Sequence, residues 1–277
     1  KKIDAEVPVE QAAYRTGRGT TEHAFAFKLL AEKAITTPNY HLHITLMDMS
    51  KAFDTVQRNT LLKDLRQMLT PAELHITKVL IQDVSLKVRI GKETSEEFTT
   101  KMGVPQGDCL SPILFTLYLA KALKETNTSQ NSDTNTKHDH LPTWLQDHTY
   151  SKQKDIGLLI EPKYADDISW GAANCIHEIE IEKKKIPPKL TSRGLIVNES
   201  KNEDSDITAE GDEKWKKCKI LGSLLDTKTD IKRRKNLANQ AYNKLKDVFE
   251  DKKLANKQKL RVFRACVESV FLYNGEL

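Results

Sequence analysis

The stretch Tyr164-Ala165-Asp166-Asp167-Ile168-Ser169, "YADDIS", sets two carboxylates side by side between apolar or small neighbours. The preceding run "IGLLIEPK" (Ile156–Lys163) reads as a strand, and "ISWGA" after the pair reads as another. This places Asp166 and Asp167 at the tip of an apolar hairpin. Burying two like charges is costly, so adjacent aspartates ordinarily occupy a solvated turn. Either this is such a turn, or a cation belongs there.

A third carboxylate stands upstream. In "HLHITLMD" (His41–Asp48), Leu42, Ile44 and Leu46 alternate with His41, His43 and Thr45, the pattern of a half-buried strand ending in Asp48. If this strand joins the hairpin in one sheet, Asp48, Asp166 and Asp167 converge on its open face. Three close carboxylates raise one another's pKa, and divalent cations remove the conflict. Mg²⁺ takes oxygen ligands, commonly one or two carboxylates plus substrate phosphates. Two ions roughly 3.5–4 Å apart clamp the attacking and leaving oxygens of a phosphoryl transfer. The carboxylates alone therefore suggest a two-metal phosphoryl-transfer site.

Around this centre the remaining segments alternate. A helix is expected over Thr20–Ala34, with Ala24, Phe27, Leu30, Ala31 and Ala34 on one side. "RNTLLKDLRQML" (Arg58–Leu69) is helical, and Thr70-Pro71-Ala72-Glu73 is a capping box that starts the next helix. Residues 85–100 read as a hairpin, and "SPILFTLYLAKALKE" (Ser111–Glu125) as an apolar, buried helix. A helix near Ile176–Leu190, a short strand "GLIVN" and a strand "KILGSLLD" (Lys219–Asp226) follow, then basic helices from Asp230 onward. Thr126–Asp155 is dominated by Asn, Thr, Ser, Asp and His and reads as a long exposed loop. Its His138, Asp139, His140, Asp147 and His148 are metal-ligand types, but a solvated polar loop is the better reading. The order predicts an α+β fold, an antiparallel sheet backed by helices with one face free for a site.

Charge is unevenly distributed along the 277 residues. Residues 1–182 hold 21 Lys/Arg and 25 Asp/Glu, and residues 183–277 hold 23 and 14, so a mildly acidic body carries a basic C-terminal third. Residues 228–264 alone hold 13 Lys/Arg and 4 Asp/Glu. A helical segment with that surplus suits a phosphate backbone. The four cysteines are scattered without a C-x-x-C, which argues against a zinc ribbon or disulfide framework and for a reducing compartment. An intracellular protein, nuclear or cytoplasmic and not secreted, is expected. No apolar run is long enough to span a membrane. The abrupt ends, "KKIDAEV" and "NGEL", are those expected of a piece of a longer protein.

Five motifs occur in order: "LMDMSKAFDTV" (Leu46–Val56), "GVPQGDCLSPILF" (Gly103–Phe115), "YADD" (Tyr164–Asp167), "GLIVNESKNE" (Gly194–Glu203) and "ILGS" (Ile220–Ser223). Together they resemble the palm of reverse transcriptases, in particular those of LINE-type (non-LTR) retrotransposons. "QAAYRTGRGTTEHAF" (Gln11–Phe25) looks like a fingers motif of that family, and "KLRVFRACVESVFLYNGEL" (Lys259–Leu277) like its thumb. The resemblance implies a right-hand polymerase: partial fingers over 1–40, palm over 41–225 with an inserted loop at 126–155, and the start of a helical thumb over 226–277. It implies RNA-directed DNA polymerase activity in retrotransposition, with an RNA template, a DNA primer, a dNTP and two Mg²⁺ ions, Mn²⁺ being the alternative.

Carried onto this sequence, the resemblance makes Asp48 and Asp166 direct metal ligands and Asp167 the supporting carboxylate. Met49 and Phe53 fall at the nucleotide, Phe53 at the position that excludes a ribose 2′-OH. Gln106 and Gly107 pack against the incoming nucleotide and template. Lys201 faces the leaving pyrophosphate, and Leu221 and Gly222 form the primer-grip turn. Arg15 and Arg18 contact template or triphosphate. Taken without the motif, Phe53 reads as core, Lys201 as a surface lysine, and Asp108 as a cap for the helix from Ser111. Asp54 reads as a cap for a helix near Thr55–Leu62 rather than as catalytic. Where the family commonly has "KTE", this chain has Lys201-Asn202-Glu203, which keeps the lysine. Fingers segments that lie upstream in the family, and an endonuclease, are not in this sequence. Two further readings stand beside the polymerase: a decayed or domesticated palm–thumb module that binds RNA or RNA/DNA without catalysis, and a group II intron-type or telomerase-like polymerase.

Overall fold

A computed structural model describes residues 2–82, 84–124, 149–152, 155–174 and 176–275. In chain order these form α1 (Thr20–Thr36), β1 (Leu42–Met47), β2 (Met49–Ser50), α2 (Arg58–Leu65), α3 (Pro71–Ile81), β3 (Val84–Leu86), β4 (Arg89–Ile90), β5 (Glu93–Thr94), β6 (Phe98–Thr100) and α4 (Ser111–Lys124). Then come β7 (Thr149–Lys152), β8 (Asp155–Ile160), β9 (Lys163–Tyr164), β10 (Asp167–Ala173), α5 (Ile176–Ser192), β11 (Ile196–Val197) and β12 (Glu203–Ile207). The chain ends with β13 (Lys219–Ile220), β14 (Ser223–Leu224), α6 (Thr227–Lys244), α7 (Lys246–Glu250), α8 (Asn256–Phe263) and α9 (Ser269–Leu272). Among the described residues, no helix is long and apolar enough to cross a membrane.

The fold divides into two compact units: Lys1–Gly19 with His43–Asp204, and Thr20–Leu42 with Ser205–Leu277. The main sheet has the order β12-β1-β10-β8-β7, and β9 also pairs with β10. The pairings of β10 with β8 and β9, and of β8 with β7, are antiparallel. In the first unit, Met47 on β1 and Trp170 on β10 are buried in one core with Phe115 and Tyr118 of α4, Leu61 and Leu65 of α2, and Ile179 and Leu190 of α5. β10 is buried at every position from Ile168 to Ala173, and the helical period of α4 supplies the apolar surface that packs on the sheet.

Local signals account for several boundaries. Thr70 accepts from Glu73 N and the Glu73 side chain returns to Thr70 N, the capping box expected from the sequence. Asp108 Oδ1 accepts from Ser111 N at 2.6 Å and caps α4, as expected. Asp54 does not cap α2: the N-cap is Gln57, without a side-chain bond, and the helix starts at Arg58. The reason is tertiary. Val104 N donates to Phe53 O and Gly103 N to Val56 O, so residues 53–56 are stitched to the "GVPQG" loop and cannot wind into a helix.

Two other expectations need correction. The polar loop expected to run to Asp155 instead gives way to a strand at Thr149, because Thr149–Lys152 pairs with Asp155–Leu158. The candidate ligands His138, Asp139, His140, Asp147 and His148 lie outside the described residues. "KILGSLLD" is a hairpin rather than one strand. It turns at Leu221 (φ 46°) and Gly222 (φ 82°), the left-handed pair that a two-residue turn uses.

Buried arginines hold the connections. In the first unit Arg58 donates from Nε to Gly103 O at 2.7 Å and from its two amino groups to Thr100 O, Thr100 Oγ1 and Met102 O. Arg193 Nη1 meets Asp64 Oδ2 at 2.7 Å and lies over the Tyr118 ring. In the second unit Arg234 Nε meets Asp230 Oδ2 at 2.9 Å, both side chains being buried. That pair reaches the 221–222 turn, Arg234 donating to Gly222 O and Asp230 accepting from Leu224 N. Replacing Arg58 with Ala should strand its carbonyl acceptors away from water and cost about 3 kcal/mol of stability, measured as a lower urea midpoint.

Candidate active site

The site is assembled in the first unit by two strand junctions. Asp48 sits in the break between β1 and β2. β2 then pairs antiparallel with β11, Met49 opposite Val197 and Ser50 opposite Ile196, and Asn198 N donates to Asp48 O at 2.9 Å. That pairing sets the following 3₁₀ turn, Glu199–Lys201, beside Asp48, and Lys201 Nζ lies 3.0 Å from Asp48 Oδ2. This is an ion pair and not an aligned hydrogen bond, for Asp48 Oδ2 is buried and has no hydrogen-bond partner.

Asp166 arrives from the neighbouring strand. Tyr164 pairs with Asp167, so the hairpin tip is Ala165–Asp166 and not Asp166–Asp167. Asp166 is half-buried and Asp167 exposed. Burial pushes the Asp166 carboxyl above the usual carboxylate range, and the Asp48 charge pushes it the same way. A backbone hydrogen bond and the Lys201 ammonium act against these. Asp48, Asp166 and Lys201 are therefore within electrostatic reach of one another. Among the described residues no three His, Cys, Asp or Glu side chains gather as a metal cluster. Asp167 stands at the start of β10, one residue before buried Ile168. Asp48 and Asp166 fit a hard cation: a buried carboxylate oxygen that accepts no hydrogen bond, beside a second carboxylate that has lost part of its water, is an oxygen donor set whose charge the exposed Lys201 ammonium offsets only in part.

The other expected residues fall as follows. Phe53 is half-buried, its ring stacked on Phe115 at 4.3 Å, so it joins the core margin next to the site. The Met49 side chain is in the core. Gln106 Nε2 donates to Asp54 Oδ1 at 3.4 Å, and Gly107 has φ 102° with open space where a side chain would begin. Arg15 donates to Pro8 O at 2.8 Å and pairs with Asp4, and Arg18 donates to Val9 O, so both guanidinium groups are engaged within their own segment. Leu221 and Gly222 belong to the second unit. Two residues were missed. The Tyr14 hydroxyl is held above its ordinary range by burial and by the Asp166 and Tyr164 charges. Gln11, 3% exposed, bonds the backbone of Ala165. No local pattern marks a glutamine whose partner is 154 residues away.

The antiparallel sheet backed by helices, with Asp48 at a strand end and Asp166 on a hairpin turn, has the right-hand polymerase fold. The fold agrees with solved members: telomerase of Candida tropicalis truncated from its C-terminal domain (TM-score 0.51, 16% identity, 80% of this chain and 41% of that one). Telomerase of Candida albicans with a fragment of telomeric RNA gives the same TM-score and identity over 96% of this chain and 45% of that one. The chain belongs to the reverse transcriptase (RNA-dependent DNA polymerase) family, whose model matches residues 1–225. It is 25% identical over 114 residues to a probable RNA-directed DNA polymerase from transposon BS of Drosophila melanogaster. It is 29% identical over 89 residues to a retrovirus-related Pol polyprotein from the type-1 retrotransposable element R2 of Popillia japonica. These matches cover 41% and 32% of this chain, and only 12% and 15% of the two relatives.

The raised Asp166 pKa has a sign that can be checked. An unfolded aspartate titrates near about 3.9. A carboxyl raised above that in the fold costs stability once ionised, and costs nothing at pH values below both. Asp166→Asn should therefore raise the melting temperature of the chelator-treated protein, with the gain growing as pH rises from about 4 and fading below it.

Proposed function

We propose that this chain carries the polymerase centre of an RNA-directed DNA polymerase encoded by a non-LTR retrotransposable element, which adds deoxynucleotides to a primer 3′-OH opposite an RNA template. The observation that carries the reading is the Asp48–Asp166 pair with its buried, unbonded oxygen and the adjacent Lys201. Asp48 and Asp166, assisted by Asp167, would hold two divalent cations, Mg²⁺ by preference and Mn²⁺ as the alternative. When bound, such ions supply a lowered pKa at the attacking hydroxyl and offset the charge that develops at phosphorus. The chain's own groups do the rest. Lys201 is exposed over most of its length and free to leave Asp48 for the departing pyrophosphate, where an ammonium donates a proton or neutralises charge. Phe53, fixed by Phe115, would close the space a ribose 2′-OH needs.

Gly107 and Gln106 would lie against the nascent base pair, and Met49 would contribute its backbone. The 221–222 turn would hold the primer end, and the basic helices from α6 onward would follow the duplex by its phosphates. In this reading residues 1–40 belong to the fingers, 41–225 to the palm and 226–277 to the thumb. Arg15 and Arg18 shape the fingers segment before they reach any phosphate. Cys109, Cys218 and Cys266 are free thiols, in keeping with work inside the cell.

The test is primer extension on an RNA template with Mg²⁺, using the whole protein to which this chain belongs. Asp48→Asn and Asp166→Asn should each lower the rate by about 10³-fold or more while template–primer binding persists. Extension by Asp166→Asn at the wild-type rate would refute the assignment. The alternative, a duplex-binding module without catalysis, needs only the basic helices from α6 onward. It predicts tight binding and no extension by the wild type. Phe53→Ala should admit ribonucleotides, and an unchanged preference for deoxynucleotides would remove Phe53 from that role.

A further inference from the structure

Asp166 is carried by a turn whose other central residue, Ala165, is strained and buried. Ala165 has φ 54°, a left-handed backbone that a side chain disfavours, and it is buried. As a central residue of a two-residue turn it lies outside the hairpin's own ladder, so its N–H and C=O need other partners. Gln11 provides both. Its Nε2 donates to Ala165 O at 3.1 Å, and its Oε1 accepts from Ala165 N at 2.9 Å. The same Oε1 accepts from Ala13 N at 3.1 Å, so both acceptor sites of the amide oxygen are used and its orientation is dictated by the N–H groups that must meet that oxygen. Gln11 is placed for this by its own backbone. Lys163 N donates to Glu10 O at 3.0 Å and Ala12 N to Lys163 O at 2.9 Å, a parallel bridge that ties the N-terminal segment to the strand entering the turn.

We propose that Gln11 is a positioning residue of the polymerase centre: its side-chain amide stands in for a missing backbone partner, holds Ala165 left-handed, and so fixes Asp166 relative to Asp48. The inference rests on the catalytic reading of Asp166. The side-chain bonds of Gln11 run to Ala165 and Ala13, so its effect on Asp166 passes through the turn. It also gives the N-terminal segment a role in catalysis that differs from gripping phosphates.

The test uses the whole protein, with kcat and the dNTP KM for primer extension normalised by burst amplitude to the active fraction, and with amide hydrogen exchange read at Ala165. Gln11→Met keeps length and volume and removes all three bonds. It should lower kcat by about 10-fold, leave KM within about twofold, and speed exchange at the Ala165 amide by about 10-fold or more. Ala165→Gly makes the left-handed backbone accessible without help. In that background Gln11→Met should cost less than about 3-fold, a non-additivity that general loosening of the N-terminal segment would not produce. Wild-type kcat in Gln11→Met, or an equal penalty in both backgrounds, would overturn the inference. Should Gln11→Met not fold, Gln11→Glu carries the test, since its ionised carboxylate keeps the accepted bonds and loses the one donated to Ala165 O. Reduced kcat supports the role and wild-type kcat overturns it. Asp166→Asn run in parallel separates the two claims. If it retains wild-type kcat, the reading of the site falls and this inference with it. If it is inactive while Gln11→Met is normal, only the role of Gln11 falls.

Discussion

Asp48 and Asp166 are brought together where each gives up part of its water, and much of the first unit is arranged to hold them there. Left alone, two carboxylates so placed would separate or protonate. What prevents separation is backbone. Asp48 is fixed by the sheet on one side and by the 49–50 and 196–197 pairing on the other, and Asp166 by the tight hairpin into β10. Lys201, delivered to Asp48 by that same 196–197 pairing, offsets part of the charge. The strain is local, and the apolar packing of Trp170, Phe115, Tyr118 and their neighbours is what makes it tolerable.

The same division of labour recurs in the connections. Arg58 spends its guanidinium on backbone carbonyls of residues 100–103, and Gly103 can pass close to Asp54 only because it has no side chain: a Cβ there would stand 2.8 Å from Asp54 O. The "GVPQG" loop is thereby pinned beside Phe53 and Asp54, leaving Gln106 and Gly107 exposed on it. In the second unit the buried Asp230–Arg234 pair does the equivalent for the 221–222 turn. In both places a charged side chain that looks like a surface residue in the sequence satisfies the backbone of a turn.

Periodicity and caps made most elements legible. The strand expected in His41–Asp48 is β1, although Thr45 and Met47 are buried where strict alternation would have buried Leu46. The Thr70–Glu73 box opened α3, and Asp108 capped α4. These signals lie within a few residues of the structure they specify. The misreadings came where distant residues decided. Asp54 lost its cap because residues 53–56 bond to 103–104, and "KILGSLLD" bent because its turn is fastened to α6.

For the site, the residue types and their order were present in the chain: three aspartates, a lysine and an apolar hairpin, enough to indicate cation-dependent phosphoryl chemistry and, through the motifs, the family. Their relative placement was not. A strand's alternation says which face a carboxylate takes, but not which strand lies beside it or which residue falls at a turn. Register put Ala165 and Asp166 at the tip and left Asp167 on the strand. Only the folded chain brings Gln11 to Ala165 across 154 positions, because a hydrogen bond between a side chain and a remote backbone leaves no periodic trace in sequence.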